Sequence, residues 1–554
     1  MKSKLVILIS AAIFLALPTS IMIYRWSSTP TDKVFAGTFG FSDDYNVMVH
    51  AVTQGVRGRW TVLNKFSSLP HPGSFFHEEY LLLGKIINPP LQLLFKVFKI
   101  PSYIPPGPII FNLSRFLLAI ILLWSIWEFI KAIVPENRPI IRLGAWLLSL
   151  FTGPLPTNIM SLLPSEISWI TNTPYFREMN VVYRFNTMPH IQTGLIAMFL
   201  LLVLYLKVIR KNELRIPTYL QIFILTSLAT WTDTVSAITA FLAITVFLFA
   251  WALFHNNRDT IVLTVLYLGS MVAAIIPSLI YFFQLRTQPV WMGVARYIQS
   301  QNPFSPASFF FLFPVLIPSA LVFVIAIVIL KKKIILPADS LYLLISWLFT
   351  FILLILFSDV IQINRLRLLR PPIFIPLAVL ASYGVYSLLN YFSQTWSKAL
   401  FSVFLILALY PSVFSIRTAL NEEYQLLSSF SSIVYPIKTQ VQAYDWLYRN
   451  TSENTIVAAL YEAASLLPPL SGNGTLAGNV TEDPNDYREK STKLTSFYGG
   501  VMNEEESKNY LLNERVSYIY WGPQERSLGK NLLEYPFLKR VYANPEVILL
   551  QVVP

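Results

Sequence analysis

Eleven apolar stretches punctuate the sequence, at residues 5–24, 109–131, 140–160, 189–206, 217–232, 235–254, 260–284, 309–330, 338–357, 371–391 and 398–416. A helix rises about 1.5 Å per residue, so about 20 apolar residues cross a hydrocarbon core of ~30 Å. Inside lipid every backbone N–H and C=O must be satisfied within the protein, which restricts such stretches to helices. The sequence therefore predicts a mainly α chain, a polytopic transmembrane helical bundle of about eleven spans. Charged residues make up only 13% of the chain and hydrophobic ones 54%. Soluble domains carry about 25% charge, so a soluble globular enzyme and a disordered chain are both excluded.

Lys2 and Lys4 precede the first stretch and Arg25-Trp26 follow it. The stretch is longer than the apolar core of a cleaved signal peptide, so it is read as an uncleaved first helix with its N-terminus inside. Threading the spans alternately puts Lys131/Arg138/Arg142, Lys207/Arg210/Lys211/Arg215, Arg258 and Lys331–Lys333 on one face. That face is cytoplasmic by the positive-inside rule, in a plasma (inner) membrane. Loops 25–108, 161–188, 285–308 and 358–370 then lie outside. The net charge of +12 is uneven: residues 422–554 hold 11 basic and 16 acidic groups, leaving +17 on the residues before them. Basic flanks of apolar spans explain this as membrane orientation, with no nucleic-acid partner. There is no cysteine, hence no disulfide framework, thiol nucleophile or thiolate metal site.

The chain divides at 1–419, a transmembrane domain with its long first outer loop at 25–108, and 420–554, an extracytoplasmic α/β domain. In the latter, short apolar runs at Ile456–Leu460, Val516–Trp521 and Val547–Val553 read as strands, with helices near Gln440–Arg449 and Glu504–Asn513. The apolar segment Tyr80–Phe98 is interrupted by Lys85 and Asn88-Pro89-Pro90 and reads as interfacial.

Candidate chemistry gathers in the outer loops. Asp43 and Asp44 stand side by side where the chain leaves the first span. Such a pair can accept a proton or hold a divalent cation. Ser42 or Asp43 can equally cap a helix whose apolar positions Val47, Val49 and Val52 follow, and a cap would also fix the second aspartate. The same loop holds His50, His71, His77, Glu78 and Glu79, suited to acid–base work or to hydrogen bonding sugar hydroxyls. Ligand spacing of the zinc type is missing. The second outer loop offers Glu166 and Glu178 and ends at His190; Asp233 falls at a turn between spans, where it either lines a site or caps a helix.

Arg365, Arg367 and Arg370 lie on a loop that the threading places outside, against the positive-inside bias. A planar guanidinium binds phosphate bidentately and stays charged when partly desolvated, so a lipid-linked phosphate is one reason for them. A miscount of one span, returning the loop to the cytoplasm, is the other. Arg115, just inside a span, calls for an aspartate or phosphate partner.

An aspartate after the first helix, a long first outer loop, many spans and an outer α/β domain resemble the GT-C superfamily of integral-membrane glycosyltransferases. That superfamily includes the protein O-mannosyltransferases, aminoarabinose transferases and oligosaccharyltransferase. Asp44-Tyr, Gln54-Gly-Val-Arg-Gly-Arg-Trp60, Pro70-His-Pro-Gly73, Tyr80-Leu-Leu-Leu-Gly-Lys85 and Pro189-His190 are similar to a bacterial group of that type. So are Ala443-Tyr-Asp-Trp-Leu-Tyr-Arg-Asn450, Tyr518-Ile-Tyr-Trp-Gly-Pro-Gln-Glu525 and Val541-Tyr-Ala-Asn544. The resemblance implies a polyprenyl-phosphate sugar donor, a glycan, lipid or protein acceptor, and a first-loop aspartate as base, Asp44 first and Asp43 second. It also implies that the arginine-rich loop holds the donor phosphate. The superfamily's second acidic motif is not evident, because Glu166 and Glu178 are isolated, so a divalent cation (Mg or Mn) stays open. The alternatives are a transporter or flippase of lipid-linked saccharides, and a polymerase or ligase using a pyrophosphate-linked glycan. A transporter calls for inverted repeats and mid-span charges, whereas here the acidic and histidine residues concentrate in outer loops.

Overall fold

The structure is a computed structural model that describes residues 2–38, 42–75, 77–101, 104–153, 181–184, 187–211, 216–255, 258–293, 316–328, 336–358, 360, 365–368, 374–390, 392–429, 431–480, 482–483, 486–529 and 531–553. Its helices are α1 (Lys2–Ser27), α2 (Ser42–Val56), α3 (Glu78–Val97), α4 (Pro106–Ile133), α5 (Pro139–Phe151), α6 (Pro189–Lys211), α7 (Ile216–Thr232), α8 (Thr234–His255) and α9 (Arg258–Arg286). There follow α10 (Leu316–Val328), α11 (Ala338–Leu356), α12 (Arg365–Leu368), α13 (Phe374–Leu389), α14 (Gln394–Ser429), α15 (Lys438–Asn450), α16 (Tyr461–Ser471), α17 (Tyr487–Tyr498), α18 (Glu504–Asn513) and α19 (Pro523–Arg526). A helix coincides with each of the eleven apolar stretches. Among the described residues, seven helices are long and apolar enough to cross a membrane, and three shorter apolar ones cover Pro139–Phe151, Leu316–Ile325 and Phe374–Leu389. The protein is a multi-pass integral membrane protein.

The chain forms two compact units. The first comprises Met1–Ile21, Arg115–Tyr281 and Gln301–Tyr424. Its core is aromatic and aliphatic, with Phe129, Phe199 and Trp347 mutually packed at centroid distances of 5.5–6.0 Å. α6 starts on Pro189 and ends on Arg210 and Lys211, the proline-first, base-last order a helix favours. Arg210 Nε pairs with Asp339 Oδ2 at 2.5 Å, and its Nη2 bonds Ser340. This pair joins the end of α6 to the start of α11, two helix ends that the charge pattern assigns to one face. Buried Arg184 donates to the carbonyls of Ser149, Leu150 and Thr152 and lies over the Phe374 ring. It thereby satisfies the orphan carbonyls at the end of α5, which would be costly unpaired.

The second unit comprises Met22–Ser114, Phe282–Ser300 and Gln425–Pro554. Its sheet contains β1 (Ile456–Ala458), β2 (Gly474–Thr475), β3 (Val516–Trp521), β4 (Leu538–Ala543) and β5 (Ile548–Val552), in the order β2-β1-β3-β5-β4. β1 runs parallel to β2 and β3, and β5 antiparallel to β3 and β4. First-loop residues are stitched to the C-terminal part of this unit. Lys33 bridges Ile437 and Ser67 bridges Ala477, while Thr475 and Gly478 donate N–H to the carbonyls of Lys65 and Phe66. The Gln54–Trp60 motif supplies side-chain clamps. Gln54 exchanges two bonds of 2.9 Å with the Leu63 backbone. Arg57 binds the carbonyls of Tyr448 and Ser471 at 2.9 and 2.5 Å, and Arg59 pairs with Glu453 at 2.5 Å. α2 packs on α3 and α16, at such short range that Gly55 faces the Leu81 backbone and Gly84 faces the Val52 carbonyl.

Candidate functional site

α2 begins at Ser42 with Asp43 and Asp44 in its first turn, where carboxylates complement the positive end of the helix dipole. Val47, Val49 and Val52 are buried behind them, so the helix lies where the apolar spacing put it. Asp43 is half-buried and Asp44 exposed. Tyr461, the first residue of α16, donates its hydroxyl to Asp43 Oδ1 at 2.9 Å. Burial, with the Asp43 charge adding, raises the Tyr461 hydroxyl above its ordinary range, so it remains a donor.

Tyr461 is held from both sides. Glu525 Oε1 accepts the Leu460 N–H at 2.8 Å, and Gln524 Oε1 accepts the Glu462 N–H at 3.2 Å. Burial pushes the Glu525 carboxyl up to about 7, against the backbone N–H groups of Leu460 and Gly522 that donate to it. The Gly-Pro-Gln-Glu525 motif therefore positions the residue that touches Asp43.

The loop histidines divide by role. His71 Nε2 accepts the Asn64 N–H at 2.9 Å, so its Nδ1 donates to the Leu69 carbonyl at 2.7 Å; burial lowers its pKa, and both nitrogens are engaged by backbone. His50 is buried between the carbonyls of Val47 and Leu63, and burial pulls it down to about 4. Both rings are held by backbone groups on their two nitrogens. His77 adopts a left-handed φ of 63° ahead of α3, with its Nδ1 3.7 Å from Glu79 Oε1. That buried oxygen has no hydrogen-bond partner. Burial raises the neighbouring Glu78, and Glu79 adds to the rise.

Glu482 completes the group. Its carbonyl accepts from Asn64 Nδ2 at 2.8 Å. Burial pushes its carboxyl up to about 7, opposed by His77 and reinforced by Asp44 and Asp483. Asp483 itself pairs with Lys490 at 3.2 Å. A carboxyl raised in the folded state costs stability above its unfolded pKa: the cost starts as pH rises past about 4.5 and is complete above about 7. Glu482→Gln is therefore expected to raise the unfolding temperature more at pH 8 than at pH 5, measured with a chelator present; an equal change at both pH values would contradict this placement.

The Glu79 carboxylate and the His77 ring stand close enough to share one divalent cation, and the Glu79 oxygen that makes no hydrogen bond fits a ligand role.

The other residues singled out from the sequence belong to the first unit or lie beyond the described residues. Arg115 is buried within α4, His190 is the second residue of α6, and Arg365 and Arg367 lie in the short helix α12, where Arg367 is exposed. Buried Asp233 sits between α7 and α8 and accepts from the Ser236 hydroxyl. Glu166, Glu178 and Arg370 lie outside the described residues. Sequence reading missed Tyr461, Glu482, Asp483 and Glu525. The position of Tyr461 carried a signal, because residues just past the C-terminal end of a parallel strand are where α/β sheets place ligands.

No protein-family model and no curated protein matches the sequence. Solved structures do match. The chain is similar to the archaeal oligosaccharyltransferase AglB from Archaeoglobus fulgidus, in a complex with an inhibitory peptide and a dolichol-phosphate: TM-score 0.52, 11% identity, over 93% of this chain and 69% of that one. The apo form of the same enzyme aligns over the same shares at TM-score 0.53 and 11% identity. A form with Zn and sulfate aligns over 98% of this chain and 73% of that one, at TM-score 0.51 and 11% identity. ArnT from Cupriavidus metallidurans, bound to undecaprenyl phosphate, covers 97% of both chains at 9% identity, but its TM-score of 0.43 is too low to argue from. The chain shares the fold of this archaeal oligosaccharyltransferase, and its mainly helical, membrane-spanning architecture with a small sheet is the one the resemblance implied.

Proposed function

We propose that the protein is a membrane glycosyltransferase that moves a sugar from a polyprenyl-phosphate-linked donor to an acceptor hydroxyl on the outer face of the membrane, with inversion. The observation that carries this reading is the first turn of α2, where Tyr461 holds Asp43 while Asp44 remains exposed. Asp44 is then the general base. The acceptor oxygen attacks the anomeric carbon, its proton passes to the Asp44 carboxylate, the carbon–oxygen bond to the donor phosphate breaks, and polyprenyl phosphate leaves. A single displacement of this kind inverts the anomeric centre. Neutralising the phosphate makes it a better leaving group; Arg365, Arg367, Arg370 and Arg115 are the residues proposed to do so. A divalent cation, when bound, would supply the same neutralisation. The N-terminus is then cytoplasmic and the second unit extracytoplasmic, in the plasma membrane. AglB, the relative in fold, binds a dolichol-phosphate, which supports a lipid-phosphate donor here.

The arginine assignment is tested by Arg→Lys at 365, 367 and 370 singly. Lysine keeps the charge but loses the bidentate fork. A charge-assisted hydrogen bond is worth about 1.5–3 kcal/mol, so affinity for a polyprenyl-phosphate sugar should fall by about one to two orders of magnitude in at least one variant. Unchanged affinity in all three would move the phosphate site to Arg115.

A further inference from the structure

A cavity of about 470 Å³ in the second unit is lined by residues of α3, α15 and the chain between α3 and α4. Lys96, Lys99 and Arg449 stand on its polar side, with Asp445 as the one acid of the lining. Arg449 is bonded to Asp445 at 2.9 Å, which leaves the ammonium groups of Lys96 and Lys99 without an acidic partner among the described residues. Phe95, Ile104 and Pro105 give the cavity an apolar wall. Its size is that of a small-molecule pocket, and its lining combines positive charge with apolar surface.

The surface beside it has the same two-sided character. Leu93, Leu94, Val97 and Phe98 are 50–70% exposed, next to the two lysines. Four large apolar side chains in water would be costly, whereas in a bilayer interface they are buried and the lysine stems snorkel toward phosphates. Val56, the last residue of α2, lines the cavity, and Asp44 lies in the opposite end turn. At 1.5 Å per residue the two are about 18 Å apart along the helix, so the cavity is separate from the carboxylate site.

We propose that this cavity binds the phosphate head group of an anionic membrane phospholipid, with the acyl chains lying along the exposed apolar face of α3. Such a lipid would fix the second unit on the membrane surface, independently of the reaction at Asp44.

The test uses the full chain purified in detergent and a lipid titration read by native mass spectrometry, with phosphatidylglycerol against phosphatidylcholine. Lys96→Gln/Lys99→Gln removes the two free charges. Lys539→Gln/Arg540→Gln removes the same charge from exposed positions on β4 and serves as control. The wild type should prefer phosphatidylglycerol. The cavity variant should lose roughly thirty-fold in affinity for it, the effect of two lysines near an anionic surface, with an unchanged unfolding temperature. The control should bind as wild type does. An equal loss in the control, no loss in the cavity variant, or no preference between the lipids would overturn the proposal. Glycerol phosphate binding as tightly as the lipid would also overturn it, making the cavity a site for soluble phosphates.

Discussion

Asp44→Asn is expected to lower sugar transfer by about 10²–10⁴-fold, the usual loss when a general base is removed, in a protein that still folds. The amide keeps the size of the carboxylate and most of its hydrogen bonding, and the side chain is exposed, so packing is not disturbed. What disappears is the acceptor for the hydroxyl proton. Asp43→Asn should cost less. Its Oδ1 serves chiefly to receive the Tyr461 hydroxyl at 2.9 Å, and an amide oxygen can still accept that bond. Rates measured for both variants under saturating donor separate the roles. If Asp43→Asn is the more damaging, the assignment within the pair is reversed; if neither variant slows transfer, the first turn of α2 is not the catalytic site.

Gly55→Ala should produce the largest loss of stability. A Cβ at Gly55 would lie 2.2 Å from the Leu81 carbonyl oxygen and 2.7 Å from Leu81 Cα. These obstacles are backbone, so no side-chain rotation relieves them, and α2 and α3 would have to separate. Overpacking in a core typically costs about 1–3 kcal/mol; with a backbone obstacle the cost should reach the upper end of that range. Because α2 also carries Asp43 and Asp44, transfer should fall with stability. Gly269→Ala is the matched control: it lies in α9 with nothing within 4 Å of the added carbon, and alanine is the better helix former there. Thermal unfolding of the two variants should differ by several degrees, and equal midpoints would mean that α2 and α3 do not pack at backbone contact.

The spans were legible because lipid admits only one backbone solution for a long apolar run, and a helix lies on each stretch predicted. The C-terminal sheet was legible where its strands β1, β3 and β5 lie in mainly apolar runs. β4 was not, since Lys539 and Arg540 face outward on its edge position and break the apolar run. α16 carries Pro468 and Pro469 inside it, residues that ordinarily break a helix, so its local pattern does not announce a helix. At the site, Asp43 and Asp44 stood out by adjacency and position after a span. Tyr461 and Glu482 reach the same place only through long-range packing, more than 400 residues along the chain from their partners Asp43 and Asn64, and no local pattern encodes such a meeting. The histidines were legible as a cluster, but the backbone groups that hold His50 and His71 are set by the folded loop and not by local sequence.

The most direct test is to reconstitute the purified protein in lipid vesicles with a polyprenyl-phosphate-linked sugar and a hydroxyl acceptor, and to follow the donor itself. The account predicts release of free polyprenyl phosphate in step with a new glycosidic bond of inverted anomeric configuration, both lost in Asp44→Asn. Movement of the intact donor from one leaflet to the other, with its sugar–phosphate bond unbroken, would contradict it and identify a transporter.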